Sequence, residues 1–180
     1  MIKLIIGKKG SGKTKKLVDM VNAATEQSLG NVVCIEKGDT LTYSVTHKAR
    51  LIDAESYGIS GYGEYYGMVA GIKAGNNDVT HIFGDATLRI GERDFDKLAA
   101  FLERISAISD VEFIFTVSAD KEELPGKKKQ KCGVSAAKEA LILSSGPMSV
   151  ISISVFPGLR RRCPFQSSVS QYNIRTPRPL

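Results

Sequence analysis

Eight residues near the N-terminus carry the chemistry that the rest of the chain must support. Gly7-Lys8-Lys9-Gly10-Ser11-Gly12-Lys13-Thr14 fits the phosphate-cradling pattern G-x-x-x-x-G-K-[S/T] at every fixed position. Glycines in such a loop let successive backbone N–H groups turn inward around a β-phosphate, and a helix starting at the end of the loop adds its partial positive charge. Lys13 is the side chain expected to reach the β- and γ-phosphates, and the Thr14 hydroxyl is expected to ligate Mg²⁺. A second segment, Val79-Thr80-His81-Ile82-Phe83-Gly84-Asp85, is a mostly apolar run ending in a carboxylate. That arrangement suits Asp85 to hold the same metal through its water shell. The next residue is Ala86, where many hydrolysing ATPases carry a glutamate that activates water. Slow hydrolysis follows, or a base supplied from another strand or a partner.

Other groups could join this chemistry, each with a plainer alternative. Glu36 and Asp39 follow the apolar run Val32–Ile35, and Asp53 ends the run Arg50–Ala54. A carboxylate at the C-terminal end of a strand could orient a water or a substrate hydroxyl, although acidic residues are also ordinary in solvated turns. Glu36 is the catalytic candidate among them. Thr116 and Ser118, toward the end of Val111–Ser118, are placed where a side chain could sense a γ-phosphate. Arg89, Arg93 and Arg104 could stabilise charge there. Four of the six tyrosines fall between residues 57 and 67. Tyr62, Tyr66, Val69 and Ile72 lie three or four apart, which fits a packed helix face better than a base-stacking platform.

Positioning these groups requires alternating strands and helices. Ile2–Ile6 is an apolar strand of the buried kind, and Leu17, Val18, Val21 and Ala24 give the helix from Lys15 to Ser28 one apolar face. Strand, glycine loop and helix are therefore in the required order. A helix beginning near Ser60, the turn Gly75–Asp78 and an amphipathic helix over Glu92–Ser109 separate the later strands. The pattern predicts an α/β fold, a three-layer α/β/α nucleoside-triphosphate-binding domain (a P-loop NTPase domain) over residues 1–125, with a mainly parallel five-stranded sheet.

Composition fits that size. The chain has 180 residues, of which 42% are apolar and 24% charged, and no apolar run is long enough to span a bilayer. A cytoplasmic location is the expectation, since no signal-peptide pattern is visible. Three distant cysteines, Cys34, Cys132 and Cys163, fit neither a disulfide framework nor zinc-ligand spacing. Charge is divided unevenly: residues 126–180 hold ten Lys or Arg against the single acidic Glu139, so of the net +6 the first 125 residues carry −3. Pro125-Gly126 marks the boundary.

The motif Gly-Lys-Lys-Gly-Ser-Gly-Lys-Thr, the run His-Ile-Phe-Gly-Asp and the ending Thr-Val-Ser-Ala-Asp-Lys-Glu-Glu-Leu-Pro resemble a group of small proteins of Gram-positive anaerobes, often called twitching-motility-type ATPases. The resemblance covers residues 1–125 and implies ATP binding through Gly7 to Thr14, with Asp85 in the Mg²⁺ position. It does not imply a pilus motor, because the separate N-terminal domain, acidic box and histidine box of those longer enzymes have no counterpart here.

Residues 126–180 form a basic tail rich in Ser, Pro and Arg, in which Val134–Leu143 could make a short helix and Met148–Phe156 a strand. No sustained amphipathic period emerges, so the tail is expected to be poorly structured. Lys127-Lys128-Lys129 and Arg160-Arg161-Arg162 could neutralise phosphates as a nucleic-acid or acidic-partner arm. Lys-Lys-Lys-Gln-Lys is also what an adenine-rich codon run encodes, where a frameshift could generate a segment without evolved function. The functional expectation is binding of ATP, or another nucleoside triphosphate, with Mg²⁺ and weak or partner-stimulated hydrolysis. The alternatives are a small-molecule kinase and a non-hydrolysing nucleotide-dependent switch or DNA-associated accessory protein.

Overall fold

The chain is described by a computed structural model covering residues 1–119, 140–142 and 148–153. Five strands run parallel in the order β3 (Arg50–Asp53), β2 (Asn31–Glu36), β4 (Val79–Gly84), β5 (Glu112–Ser118) and β1 (Ile2–Gly7). Successive side chains of a strand face opposite sides of the sheet, and both faces are apolar, as expected when helices cover each. Ile5, Cys34, Phe83 and Ile114 pack on one side with Leu17, Val18 and Val21 of α1 (Lys13–Gln27). Leu4, Ile6, Ile35, Phe113 and Phe115 face the other side, under α2 (Tyr62–Gly75), α3 (Thr87–Gly91) and α4 (Phe95–Ser106). Three layers result, as the alternating pattern requires.

The tyrosine-rich stretch resolves as helix packing. Tyr65 is fully buried and stacks on Phe101 of α4 at 5.0 Å between ring centroids, while Phe115 of the sheet meets both rings edge-on. Helix α4 starts later than its apolar stripe alone implies, because Asp94 accepts from the backbone N–H groups of Asp96 and Lys97 and so caps it.

The five parallel strands within residues 1–125 are as expected, and two further strands extend the sheet to seven: β7 (Met148–Ile153) pairs antiparallel with β1, and β6 (Ala140–Ile142) pairs antiparallel with β7. Part of the tail expected to be poorly structured therefore lies in the sheet: β7 falls in the stretch Met148–Phe156 that could make a strand, whereas β6 is a strand within Val134–Leu143, which could have made a short helix. The physical reason is the edge. In a sheet of five strands β1 would present a row of unpaired backbone groups beside the glycine loop, and an added strand satisfies them. The lysine and arginine clusters of the tail, at 127–129 and 160–162, lie outside the described residues.

Candidate functional site

Strand β1 ends at Gly7, which is paired with Ser118 of β5 on one side and Met148 of β7 on the other. From this fixed point the chain turns through the loop and enters α1. Gly10 (φ 83°) and Gly12 (φ 84°) hold left-handed backbone that a side chain would strain, so the glycines of the motif are needed where they stand. Gly12 is also the N-cap of α1 and offers no capping side chain; the first turn holds no acidic residue, and Lys15 and Lys16 add positive charge. For an isolated helix this end is poorly arranged. For an anion it is favourable, because the open N–H groups, the dipole and the lysines all attract negative charge.

Lys13, only 7% exposed, donates through Nζ to the carbonyls of Gly7 (2.9 Å) and Lys8 (2.7 Å). Burial holds its ammonium below the usual lysine range, and the nearby Asp85 carboxylate offsets part of that shift. Thr14 Oγ1 donates to both carboxylate oxygens of Asp85, at 3.2 and 3.1 Å. Thr14 opens α1 after the loop that follows β1, and Asp85 follows β4, with β5 lying between β1 and β4. Thr116 of β5 fills the gap: its hydroxyl donates to Asp85 Oδ1 at 2.7 Å and accepts from the backbone N–H of Ala86 at 2.9 Å. Asp85 is buried and its own N–H donates to the Ile35 carbonyl of β2 at 2.8 Å. Lys13, Thr14, Asp85 and Thr116 thus form one polar constellation at the C-terminal edge of the parallel strands.

An open cleft of about 900 Å³ lies over this constellation, lined by Lys8, Lys9, Gly10, Gly12, Lys13 and Thr14 of the loop region. Asp85, Ala86, Leu88, Arg89 and Arg93 line it from the other side of the site, with Thr116, Ser118 and Ala119 at the end of β5. Ser11 of the loop does not line the cleft, and its buried hydroxyl has no hydrogen-bond partner among the described residues. Among the described residues lining the cleft, Asp85 is the sole carboxylate.

Glu36 stands at the end of β2, but its carboxylate is turned to a different task. It is 1% exposed and accepts from Thr40 Oγ1 at 2.8 Å and from the Leu41 N–H at 3.1 and 3.2 Å, anchoring the loop after β2. It is not among the residues that line the cleft. Asp53 likewise accepts from the N–H groups of Gly38, Glu55 and Ser56 and organises the turn after β3. Asp39 is exposed in the intervening loop. Of the three arginines, Arg89 and Arg93 line the cleft, whereas Arg104 lies over the ring of Tyr66 at 3.8 Å. Burial, with smaller contributions from Asp85 and Glu36, pushes the Cys34 thiol up to about 12, so Cys34 is core and not a nucleophile.

The sequence does not disclose α3. Ala86-Thr87-Leu88-Arg89-Ile90-Gly91 is too short to display a helical period, and Leu88 reaches the cleft only because this one turn folds back beside Asp85. No family model, curated protein or solved structure matches this chain.

Proposed function

We propose that the chain binds a nucleoside triphosphate together with Mg²⁺, the phosphates on the loop Gly7–Thr14 and the metal beside Thr14 and Asp85. The observation that carries this reading is the meeting of Thr14 and Asp85 beneath a cleft whose loop side is the glycine motif. Phosphate oxygens would take the place of the Gly7 and Lys8 carbonyls as partners of the Lys13 ammonium. The donor set suits Mg²⁺, because a hydroxyl and a carboxylate are hard oxygen ligands. Among the described residues no group of three or more His, Cys, Asp or Glu side chains forms a metal cage. Phosphates and water would complete the coordination, the usual habit of this ion. Bound there, Mg²⁺ would neutralise charge developing on the phosphates.

Hydrolysis is proposed to be weak or stimulated by a partner. Ala86 cannot act as a base, and the carboxylate of Glu36 is committed to Thr40 and Leu41. A phosphoryl acceptor in a kinase would need a carboxylate such as Glu36, Asp39 or Asp53, and none of the three lines the cleft. ATP binding also follows from the resemblance to the short Gram-positive ATPases, which rests on the quoted motifs. Calorimetric titration with ATP, GTP and ADP, with and without Mg²⁺, combined with phosphate-release measurements, tests the reading. Metal-dependent triphosphate binding that a Lys13→Ala substitution weakens about tenfold or more is expected. Absence of binding, or binding indifferent to that substitution, would overturn it.

A further inference from the structure

Helix α3 gives the cleft a wall with an unusual composition. Four of its five residues, Thr87, Leu88, Ile90 and Gly91, are buried, and Arg89 is the exposed one. Arg89 lines the cleft that contains Lys13, Thr14 and Asp85. Its guanidinium makes no hydrogen bond or ion pair among the described residues, although its main-chain carbonyl accepts from Lys37 Nζ at 3.0 Å.

The backbone beneath that side chain is fixed from both ends. Ala86 (φ 51°) and Glu92 (φ 96°) bracket α3 in left-handed backbone that non-glycine residues adopt only when surrounding contacts impose it. Those contacts are present. The Ala86 N–H is held by Thr116, the Ile90 carbonyl accepts from the Gly61 N–H at 2.9 Å, and the Glu92 carbonyl accepts from the Tyr62 hydroxyl at 3.0 Å. Gly91 lies so close to the Tyr62 ring that a Cβ there would overlap it. Thr116 also holds Asp85, so the position of Arg89 is referred to the carboxylate of the metal side through a single shared hydroxyl.

We infer that Arg89 reads the terminal phosphate of the bound nucleotide and makes the cleft discriminate a triphosphate from a diphosphate. This rests on the nucleotide reading above. The loop amides serve the inner phosphates, Lys13 spans the β- and γ-phosphates, and Thr14 with Asp85 serves the metal, which leaves the outermost phosphate with a single point-charge donor from the loop and its remaining oxygens facing the opposite wall of the cleft. A guanidinium supplies paired N–H donors in the planar geometry that phosphate oxygens accept, and it stays charged at every physiological pH. The strained, doubly anchored backbone keeps the base of that side chain in place.

The test is calorimetric titration of the full chain with Mg²⁺ and either ATP or ADP, for the wild type, Arg89→Ala and Arg89→Lys. The wild type should prefer ATP, and Arg89→Ala should lower ATP affinity about tenfold or more while leaving ADP affinity within about twofold, the scale of a lost charge-assisted contact. Arg89→Lys should restore part of the preference. ADP with beryllium fluoride, which occupies the terminal-phosphate position, should bind more tightly than ADP alone to the wild type and no more tightly to Arg89→Ala. Equal loss of ATP and ADP, or loss of neither, overturns the role of Arg89 and leaves nucleotide binding standing. A wild type that binds neither nucleotide overturns both.

Discussion

Thr14 and Asp85 stand 71 residues apart in the chain, and the hydroxyl of one donates to both carboxylate oxygens of the other. Thr14 lies in the first turn of α1 and Asp85 directly follows β4, with β5 between β1 and β4 in the sheet. The pair brings together two oxygen ligands suited to one metal ion. Asp85→Asn and Thr14→Val are each expected to remove most of the Mg²⁺ enhancement of ATP affinity, about tenfold or more, while metal-free binding changes little. Titration in Mg²⁺ and in chelator reads this directly; an undiminished Mg²⁺ effect in both variants would place the metal elsewhere.

Gly84 sits immediately before Asp85, where a Cβ would overlap the Tyr65 hydroxyl and the Phe115 ring. Those rings belong to the aromatic stack with Phe101 and have little room to move. Gly84→Ala should therefore destabilise the fold by about 1–3 kcal/mol, the cost of overpacking a dense core. It should also weaken ATP binding by displacing Asp85. Urea denaturation alongside nucleotide titration checks both effects, and an unchanged midpoint would show that the stack yields.

Asp53 fixes a pH response. Its carboxyl is held below the ordinary value of 3.8, chiefly by the Gly38 N–H and further by those of Glu55 and Ser56. A depressed carboxyl stabilises the folded state at pH values above the unfolded value. That contribution is lost as pH falls from 3.8 through the lower folded value. Asp53→Asn should flatten this part of the acid limb in denaturation curves collected across pH. A limb of unchanged slope would assign it to other carboxylates.

The β1 edge offers a test of the tail. A chain ending at residue 125 lacks β6 and β7, and so leaves the backbone groups of Ile2–Gly7 unpaired on that side. Such an edge invites association and loosens the strand that leads into the glycine loop. The shortened chain should melt at a lower temperature and elute in part as larger species on size exclusion. An unchanged melting temperature and a clean monomer would show that the added strands contribute nothing, which is also what a frameshifted tail predicts.

The parallel strands, the glycine loop between strand and helix, and the strand that leads into Asp85 were legible in the sequence because their signals are local. Glycine spacing, apolar runs and a strand ending in Asp85 depend on residues close together in the chain. The tyrosine stretch was legible for the same reason, since helical spacing already pointed to packing. Glu36 was not. Its position at a strand end is a local fact, but its occupation by Thr40 and Leu41 depends on how the following loop folds back.

By itself the sequence determined the alternation of strands and helices and the order strand, glycine loop, helix. Tertiary structure alone decided which groups meet. Placing β5 between β1 and β4 brings Thr116 onto Asp85 and Asp85 onto Thr14. It also decided that α3 turns Arg89, not Arg104, to the cleft, and that part of the tail closes the sheet edge. The reason is the same throughout: strand order and side-chain facing are set by burying apolar surface and pairing backbone across long separations, and no short window of sequence contains both partners.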